Sequence, residues 1–294
     1  MSARLLGTPS PTLCRVRLHV KVEPPPGLTN QLQYLCSGII TGFGRGFRSF
    51  GVDLFLACVG RRTLCPASRL LDLPRTAESF SATLGQQITL QDLPPGPSQT
   101  FPPSLSPPAG QNDLFLSLLR GLVFNPALSR AADELRERHG IPPLPDILHL
   151  RMEEDACRWW GKRAGMGKAD FIACLEGKYL RALAAFPSER PVYVLSGDPA
   201  LARALLAKAG RRGFCLEARE KEAATKAAVG CQGREMSAVL EYLIVTGGPA
   251  EQSPESFFIG VGGSTFTRFL QLNSPRAKKG FINLDNLKAE VLFV

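Results

Sequence analysis

The second half of the chain alternates short apolar segments with capped helical segments, and this alternation restricts the fold more than any other feature. In residues 191–210 the apolar run PVYVLSG precedes Asp198 as a helix N-cap, Pro199 at the first helical position, and a helix that stops at Gly210. Such a strand, turn and helix form half of a βαβ unit. Further strands are expected at 146–152 and 257–260, and a helix at 235–245. The pattern predicts a doubly wound α/β domain.

The first half carries weaker signals of the same kind. Alternation at 15–22 and an apolar run at 52–59 predict strands, and helical spacing at 28–40 and 114–124 predicts helices. A helix that begins at Pro126 after Asn125 is expected to end at Gly140. Residues 93–112 are uncharged and contain seven prolines, which predicts a loop or linker.

The charge distribution points to an anionic partner. The formal net charge is +9, and residues 1–66 hold eight basic but only two acidic residues. Aromatic residues are sparse among the basic ones, and neither zinc-finger spacing nor an RNP-like motif occurs, so no nucleic-acid partner is expected. The eight cysteines form no CxxC pair and there are only three histidines, so no metal site is expected. Most of the cysteines are expected to be small buried apolar residues.

No membrane span is expected in this chain. The longest apolar run, at 114–124, is short and contains Arg120. The N-terminal residues lack the apolar core of a signal peptide. If the N-terminus is complete, this pattern indicates a cytoplasmic protein.

Gly27 and Asn30 lie between a predicted strand and a predicted helix. A glycine there allows the backbone to approach a ligand closely, and a helix N-terminus offers unpaired N–H groups to an anion. The alternative is that Asn30 only caps the helix.

A second candidate site is the segment HLRMEED at the end of a predicted strand. Because side chains alternate along a strand, His149, Arg151 and Glu153 are expected on one face. Ligands of open α/β sheets bind beyond the carboxyl ends of the strands, where an arginine can hold a phosphate. The alternative is that Arg151 is structural and pairs with Glu153 or Asp155.

A third candidate is FFIGVGGSTFT, a strand followed by a glycine turn at 260–263 and by Ser264 and Thr265 at a helix start. Backbone N–H groups and the helix dipole can hold a phosphate at such a place. The alternative is an ordinary glycine turn in which Ser264 is the N-cap. The GK[ST] ending of a P-loop is missing, so the segment does not indicate a kinase or ATPase.

Taken in chain order, these segments resemble the GDP-fucose protein O-fucosyltransferase superfamily, including its plant branch, over roughly residues 26–270. HLRMEED is similar to the plant HLRxExD pattern, and FFIGVGGSTFTRF resembles the FVG…STFS segment. The loop that ends in Asn30-Gln31 and the segments LVFNPALSRAADELRE, VYVLSGD and SAVLEYLIV also resemble family segments in the same order.

The resemblance implies an α/β fold of the GT-B type, with two Rossmann-like domains facing a cleft. Residues 1–140 would form the acceptor-side domain with the Pro-rich insert at 93–112, and residues 141–294 would bind the nucleotide sugar. The implied enzyme is an inverting glycosyltransferase that needs no metal or other cofactor. It would move fucose from GDP-fucose to a hydroxyl of a protein or glycan.

The resemblance also implies roles for particular residues. Arg151 would neutralise the β-phosphate with Ser264 and Thr265, and Asn30 would lie near the sugar and the acceptor. His149 would lie near the nucleoside, and Glu241 would face guanine. The implied catalytic residues are thus Arg151 and Asn30, and the implied nucleotide-binding residues are Gly27, His149, Glu241, Ser264, Thr265 and Phe266. The candidates for a general base are Glu153, Asp155 and Glu23.

Two other functions stay open at this point. Enzymes of the same plant branch are thought to use UDP-rhamnose, and Arg151 and the STF segment would read phosphate in either donor. A catalytically inactive protein that keeps the fold to bind glycans or proteins is the other alternative. The family works in the secretory pathway, so that location is expected from the resemblance.

Overall fold

The computed structural model describes residues 13–16, 28–58, 61–92, 109–143, 145–186, 189–247, 256–273 and 278–293. The chain divides into two compact units, Met1–Pro126 and Ala127–Val294. The helix at 126–138, which the sequence analysis assigned to the first domain, belongs to the second unit, where Arg138 and His139 both lie close to Glu220. The functional boundary near residue 140 stays a prediction.

The first unit is built around one long strand. Its elements are β1 (Leu13–Val16), α1 (Leu28–Gly44), β2 (Ser49–Cys58), β3 (Arg61–Pro66), a 3-10 turn (Ala67–Arg69), α2 (Leu73–Leu84), β4 (Thr89–Asp92) and α3 (Asn112–Arg120). The first part of β2 lies between β1 and β4, parallel to both, and its second part pairs antiparallel with β3. The helix α1 buries an apolar face that includes Leu32, Leu35 and Ile39.

The second unit contains a six-stranded sheet. Its elements are α4 (Pro126–Arg138), β5 (Asp146–His149), α5 (Glu154–Ala156), a π-helical segment (Cys157–Gly161), α6 (Lys168–Ala185), β6 (Val192–Leu195), α7 (Pro199–Lys208), β7 (Gly213–Phe214), α8 (Ala218–Val229), α9 (Arg234–Thr246), β8 (Phe257–Gly262), α10 (Thr265–Asn273), β9 (Lys278–Asn283) and β10 (Leu292–Phe293). The strand order is β10-β9-β8-β5-β6-β7, and only β10 runs antiparallel to its neighbour. The central strands β5 and β6 are buried along their whole length, as in parallel sheets covered on both faces.

The capping signals of the sequence are confirmed where they are local. The Asp198 carboxylate accepts hydrogen bonds from the N–H groups of Ala200 and Leu201, and Pro199 opens α7. The chain leaves α4 and α7 through Gly140 and Gly210, both at positive φ. The predicted helix at 28–40 and the strand at 52–59 are also present, as α1 and β2.

Two expected boundaries are wrong. The strand expected at 146–152 ends at His149, because Glu153 already precedes the short helix α5. The glycine turn expected at 260–263 is narrower, because β8 continues to Gly262 in register with β9, and only Gly263 has a positive φ, of 82°. Residues 17–22 and 93–108 lie outside the described residues, so the rest of the first strand and most of the Pro-rich insert are not placed.

No helix of the described part is long and apolar enough to cross a membrane. The cysteines whose side chains the structure describes are free thiols, and they are Cys36, Cys157, Cys174, Cys215 and Cys231.

Candidate functional site

The two most specific sequence motifs meet at the carboxyl ends of neighbouring strands. Strands β5 and β8 are parallel and adjacent, with Leu148 opposite Ile259. From β5 the chain moves to β6 and β7 on one side, and it returns through β8 to β9 on the other side. The strand order therefore reverses between β5 and β8, the kind of position at which open α/β sheets bind ligands.

A hydrogen bond joins the two motifs directly. The Nδ1 atom of His149 lies 2.7 Å from Oγ1 of Thr267, and the ring of Phe266 meets the His149 ring edge-on with centroids 5.2 Å apart. Both His149 and Thr267 are buried. The sequence motifs mark His149 and Phe266 as candidate site residues but give no role to Thr267, which lies in the same STFT segment.

Close packing of α10 on β8 depends on Gly260. A Cβ atom at this position would lie 2.5 Å from Cγ2 of Thr267 and 2.7 Å from the Phe258 ring. A side chain would therefore push α10 away from the strand. This glycine acts in helix–strand packing, whereas the sequence analysis placed it in a turn.

His149 is neutral in the folded protein. Burial, together with the positive charges of Arg151 and Arg234, lowers its pKa from 6.5 to about 3. Because the ring carries no charge, it can contribute one N–H donor and one acceptor to its surroundings.

The main chain around Arg151 is held by a buried tyrosine. The Tyr179 hydroxyl donates to the carbonyl oxygen of His149 and accepts from the N–H of Arg151, with both distances 3.0 Å. Tyr179 is fully buried on α6. It therefore fixes the segment that leaves β5, although nothing in the sequence distinguishes it from an ordinary core residue.

The Arg151 guanidinium faces two carboxylates. Its nitrogens lie 3.7 Å from Glu153 and 3.3 Å from Asp155, and its carbon lies 5.4 Å from the Trp160 ring centroid. The ion pairs that the sequence analysis offered as an alternative are thus present with both carboxylates. However, only one of the five guanidinium N–H donors makes a hydrogen bond to a described residue, the bond to Asp155.

Asp155 connects Arg151 with a second arginine. Arg234, at the start of α9, lies 2.8 Å from the same Asp155 oxygen that Arg151 approaches. Burial alone would raise the pKa of Asp155, but the two arginines outweigh it and the pKa is lowered. Arg234 was missed by the sequence analysis, because it stands in a loop-to-helix junction far from the motifs and no local pattern marks it.

The Glu153 side chain contacts Gly197, just beyond the end of β6. Its Oε1 atom accepts the N–H of Gly197 at 3.0 Å, and a Cβ at Gly197 would lie 3.2 Å from the Glu153 side chain. Its Oε2 atom is buried and has no hydrogen bond to a described residue. The expectation that His149, Arg151 and Glu153 share one strand face is wrong, because the strand ends before Arg151.

Glu241 lies in a buried ion pair. Its carboxylate is 2.9 Å from the Lys221 ammonium, which also donates to the Ser196 carbonyl at 3.4 Å, and both charged side chains are about 5% exposed. Burial raises the pKa of Glu241, although Lys221 acts against this shift. The guanine-facing role of Glu241 stays a prediction, and the structure gives its carboxylate a protein partner. The lysine was missed because α8 shows no pattern that marks it as buried.

Ser264 is the N-cap of α10, which agrees with the alternative interpretation of this segment as an ordinary glycine turn before a capped helix. Its hydroxyl oxygen accepts the N–H of Thr267 at 3.4 Å, and its carbonyl accepts the N–H of Arg268 at 3.0 Å. Thr265 is the first residue of α10. A phosphate-binding role of Ser264 and Thr265 is compatible with this position and stays a prediction.

The remaining predicted residues belong to the first unit. Asn30 is the third residue of α1, so it does not cap the helix, and its buried Oδ1 atom has no hydrogen bond to a described residue. Gly27 and Glu23 lie outside the described residues. Among the described residues, no group of three or more His, Cys, Asp or Glu side chains is arranged to hold a metal ion.

Comparison with solved structures shows the fold of the chain. No protein-family model matches the sequence, and no curated protein is significantly similar to it. Solved structures of fucosyltransferases do match, among them the following three. NodZ alpha-1,6-fucosyltransferase soaked with GDP-fucose matches with a TM-score of 0.57 and 11% identity, over 91% of this chain and 95% of that one. NodZ from Bradyrhizobium gives 0.57 and 13% over the same shares, and POFUT1 in complex with GDP-fucose gives 0.52 and 10% over 87% and 95%.

The chain therefore has the GT-B α/β fold of these fucosyltransferases. The resemblance that the motifs indicated is confirmed at the level of the fold.

Proposed function

We propose that this chain is a fucosyltransferase that moves fucose from GDP-fucose to a hydroxyl of a protein or glycan, with inversion and without a metal ion. The observation that carries the proposal is the 2.7 Å hydrogen bond between His149 and Thr267. It brings together HLRMEED and STFT, the motifs that resemble the family most, at the position in the sheet where such folds bind ligands. The NodZ and POFUT1 structures with GDP-fucose have the same fold.

Two arginines provide the positive charge that a diphosphate needs. The guanidinium groups of Arg151 and Arg234 both approach one oxygen of Asp155. An anionic oxygen at the position of this Asp155 oxygen is thus within reach of both arginines. A phosphate oxygen would compete with the Asp155 carboxylate for them. Planar guanidinium groups bind phosphate in a bidentate manner, which favours this ligand class.

The proposed reaction transfers one sugar. The acceptor hydroxyl oxygen forms a bond to C1 of fucose while the bond from C1 to the β-phosphate oxygen breaks. GDP leaves with the bonding electrons, and the hydroxyl proton passes to the departing diphosphate or to water. Arg151 and the N-terminus of α10 stabilise the charge that develops on GDP, which takes the place of a divalent cation. The proposal assigns neither Glu153 nor Asp155 as the base, because both carboxylates face Arg151 and the pKa of Asp155 is lowered.

The experiment is a thermal-shift comparison of the full chain with GDP, GDP-fucose, UDP and UDP-rhamnose. A nucleotide at a hundred times its Kd stabilises the folded state by about 2.7 kcal/mol, which corresponds to a Tm increase of roughly 5 °C or more. We expect GDP to raise the Tm more than UDP does, and we expect transfer to continue in EDTA.

Other results of these experiments would contradict the fucose donor, the catalytic activity or the metal-free reaction. An equal or larger shift with UDP would contradict the fucose assignment and favour the rhamnosyltransferase. No shift with any of the four compounds would favour the inactive binding protein. Loss of transfer in EDTA that Mg²⁺ or Mn²⁺ restores would contradict the metal-free reaction.

A further inference from the structure

The hydroxyl group of Thr267 has two defined partners. Its oxygen lies 3.1 Å from the backbone nitrogen of Val261, whose N–H donates to it, and 2.7 Å from Nδ1 of His149. A backbone N–H can only donate, so the hydroxyl proton cannot be used there. Among the described residues the hydroxyl has no acceptor other than Nδ1. If the hydroxyl accepted from Nδ1 as well, its own proton would be buried without an acceptor among the described residues, and this cost favours donation to Nδ1 of His149.

This arrangement determines where the ring proton of His149 lies. A neutral imidazole carries a proton on one nitrogen only, and a nitrogen that accepts a hydrogen bond is the other one. Donation from Thr267 to Nδ1 therefore requires the ring proton to be on Nε2. The lowered pKa of His149 agrees with a neutral ring. Nε2 has no hydrogen-bond partner among the described residues.

We infer that Thr267 is a positioning residue that holds His149 in the Nε2–H tautomer, so that the ring donates a hydrogen bond to a diphosphate oxygen of the bound nucleotide and not, as the resemblance implies, to its nucleoside. The identity of the ligand rests on the proposed function, whereas the tautomer does not.

The surroundings of His149 favour an anionic oxygen as the acceptor. Arg151 follows it by two residues, and Arg234 is close enough for its charge to lower the His149 pKa. The other tautomer would present a lone pair at Nε2, which repels a phosphate oxygen. A neutral N–H donor can also bind a phosphate oxygen without adding a further positive charge that would hold GDP in the site.

The first test concerns the tautomer in the protein without any nucleotide. The chain has three histidines, so a ¹⁵N-labelled sample gives few ring signals, and H149Q identifies those of His149. Two-bond ¹H–¹⁵N spectra should show a protonated Nε2 and an unprotonated Nδ1 for His149, both in the wild type and in T267S. In T267V the two forms should mix. A protonated Nδ1 in the wild type would overturn the inference.

The second test concerns the ligand, with GDP as the probe in a calorimetric titration. Loss of a well-formed hydrogen bond to a charged group corresponds to about tenfold or more in affinity, so T267V should bind GDP about tenfold more weakly. T267S keeps the hydroxyl and should restore binding. T246V is the matched control, because the hydrogen bonds of the Thr246 hydroxyl within the described part of the chain are to Tyr242 at the end of α9, and it should bind GDP like the wild type.

The outcomes separate this inference from the proposed function. If the wild type binds GDP and a folded T267V binds it equally well, the role of Thr267 is overturned while the proposed function stands. If the wild type binds no GDP, the proposed function fails and the diphosphate role fails with it. In that case the spectra alone decide whether Thr267 sets the tautomer.

Discussion

Arg151 is oriented by neighbouring side chains before any ligand is present. Tyr179 fixes its backbone N–H, Trp160 lies beside its guanidinium, and Glu153 and Asp155 face its nitrogens. An arginine with four donors unused by described residues is well placed to accept a bidentate anion. The same ion pairs also give it a structural role, so the two roles must be separated by experiment.

The substitution R151A separates them. We expect a loss of about 2.7–4 kcal/mol in transition-state stabilisation, roughly a hundred- to a thousandfold in turnover, and little recovery in R151K, since an ammonium has no planar fork. R158A is the matched control, because exposed Arg158 has exposed Glu154, on the same segment, as its one ion-pair partner among the described residues. Turnover and Tm are measured for all three variants. A folded R151A with near-normal turnover would show that Arg151 does not bind the phosphate.

His149 should make the stability of the protein depend on pH. Its pKa is about 3 when folded and 6.5 when unfolded, so below pH 6.5 the unfolded chain binds a proton that the folded chain does not. The free energy of unfolding therefore falls as the pH falls, by about 2 kcal/mol from this residue at pH 5. Urea unfolding at pH 7.5 and pH 5 should show this loss in the wild type and a smaller loss in H149Q. Equal losses in the two proteins would contradict a buried neutral ring.

At the scale of single elements, the contact between β8 and α10 positions Thr267. We expect G260A to destabilise the protein by about 1–3 kcal/mol, because its Cβ would overlap Thr267 and the fully buried Phe258 ring. G262A is the control in the same strand, where a Cβ finds only ordinary contacts at 3.6 and 3.9 Å. Thermal unfolding of both variants measures the difference. A G260A protein as stable as G262A would mean that α10 moves away at little cost.

The helices α8 and α9 meet through the Lys221–Glu241 ion pair. Removal of one partner leaves a buried charge, so K221M or E241L alone should cost about 3–5 kcal/mol. The double variant K221M/E241L should recover most of this loss, because it buries no charge at all. Urea unfolding measures the stability of the three variants.

The same double variant tests whether Glu241 binds the guanine base of GDP. If the pair is only structural, K221M/E241L keeps the preference for GDP over UDP in a thermal shift. If Glu241 binds guanine, the preference disappears although the stability has returned.

At the scale of the whole molecule, the predictable part of the structure is the part that depends on neighbours in sequence. Asp198, Pro199 and Gly210 predicted α7 correctly, because a cap and a stop act within one helical turn. The end of β5 was misjudged, because LRM continues the apolar alternation while Glu153 already starts the next turn.

Only those residues of the candidate site that lie in sequence motifs could be predicted from the sequence. His149, Arg151 and the STF segment stand out as sequence patterns, and the adjacency of β5 and β8 brings them together. Arg234 and Lys221 have no such pattern, because their partners Asp155 and Glu241 are supplied by other elements. A charged residue on a helix is usually solvated, and only the packed fold shows that these two are paired.

The adjacency of β5 and β8 has a consequence for how the protein is made. His149 and Thr267 are 118 residues apart in the chain, and β6, α7, β7, α8 and α9 all lie between them. Contacts of such long range form late, because the entropy of closing a long loop must be overcome first. On the ribosome, β5 and β6 emerge long before their neighbour β8, which leaves the β8-facing edge of β5 without its partner strand. The contact between β5 and β8 is therefore among the last features to form during synthesis, and a chain stalled before residue 257 exposes a bare strand edge prone to aggregation.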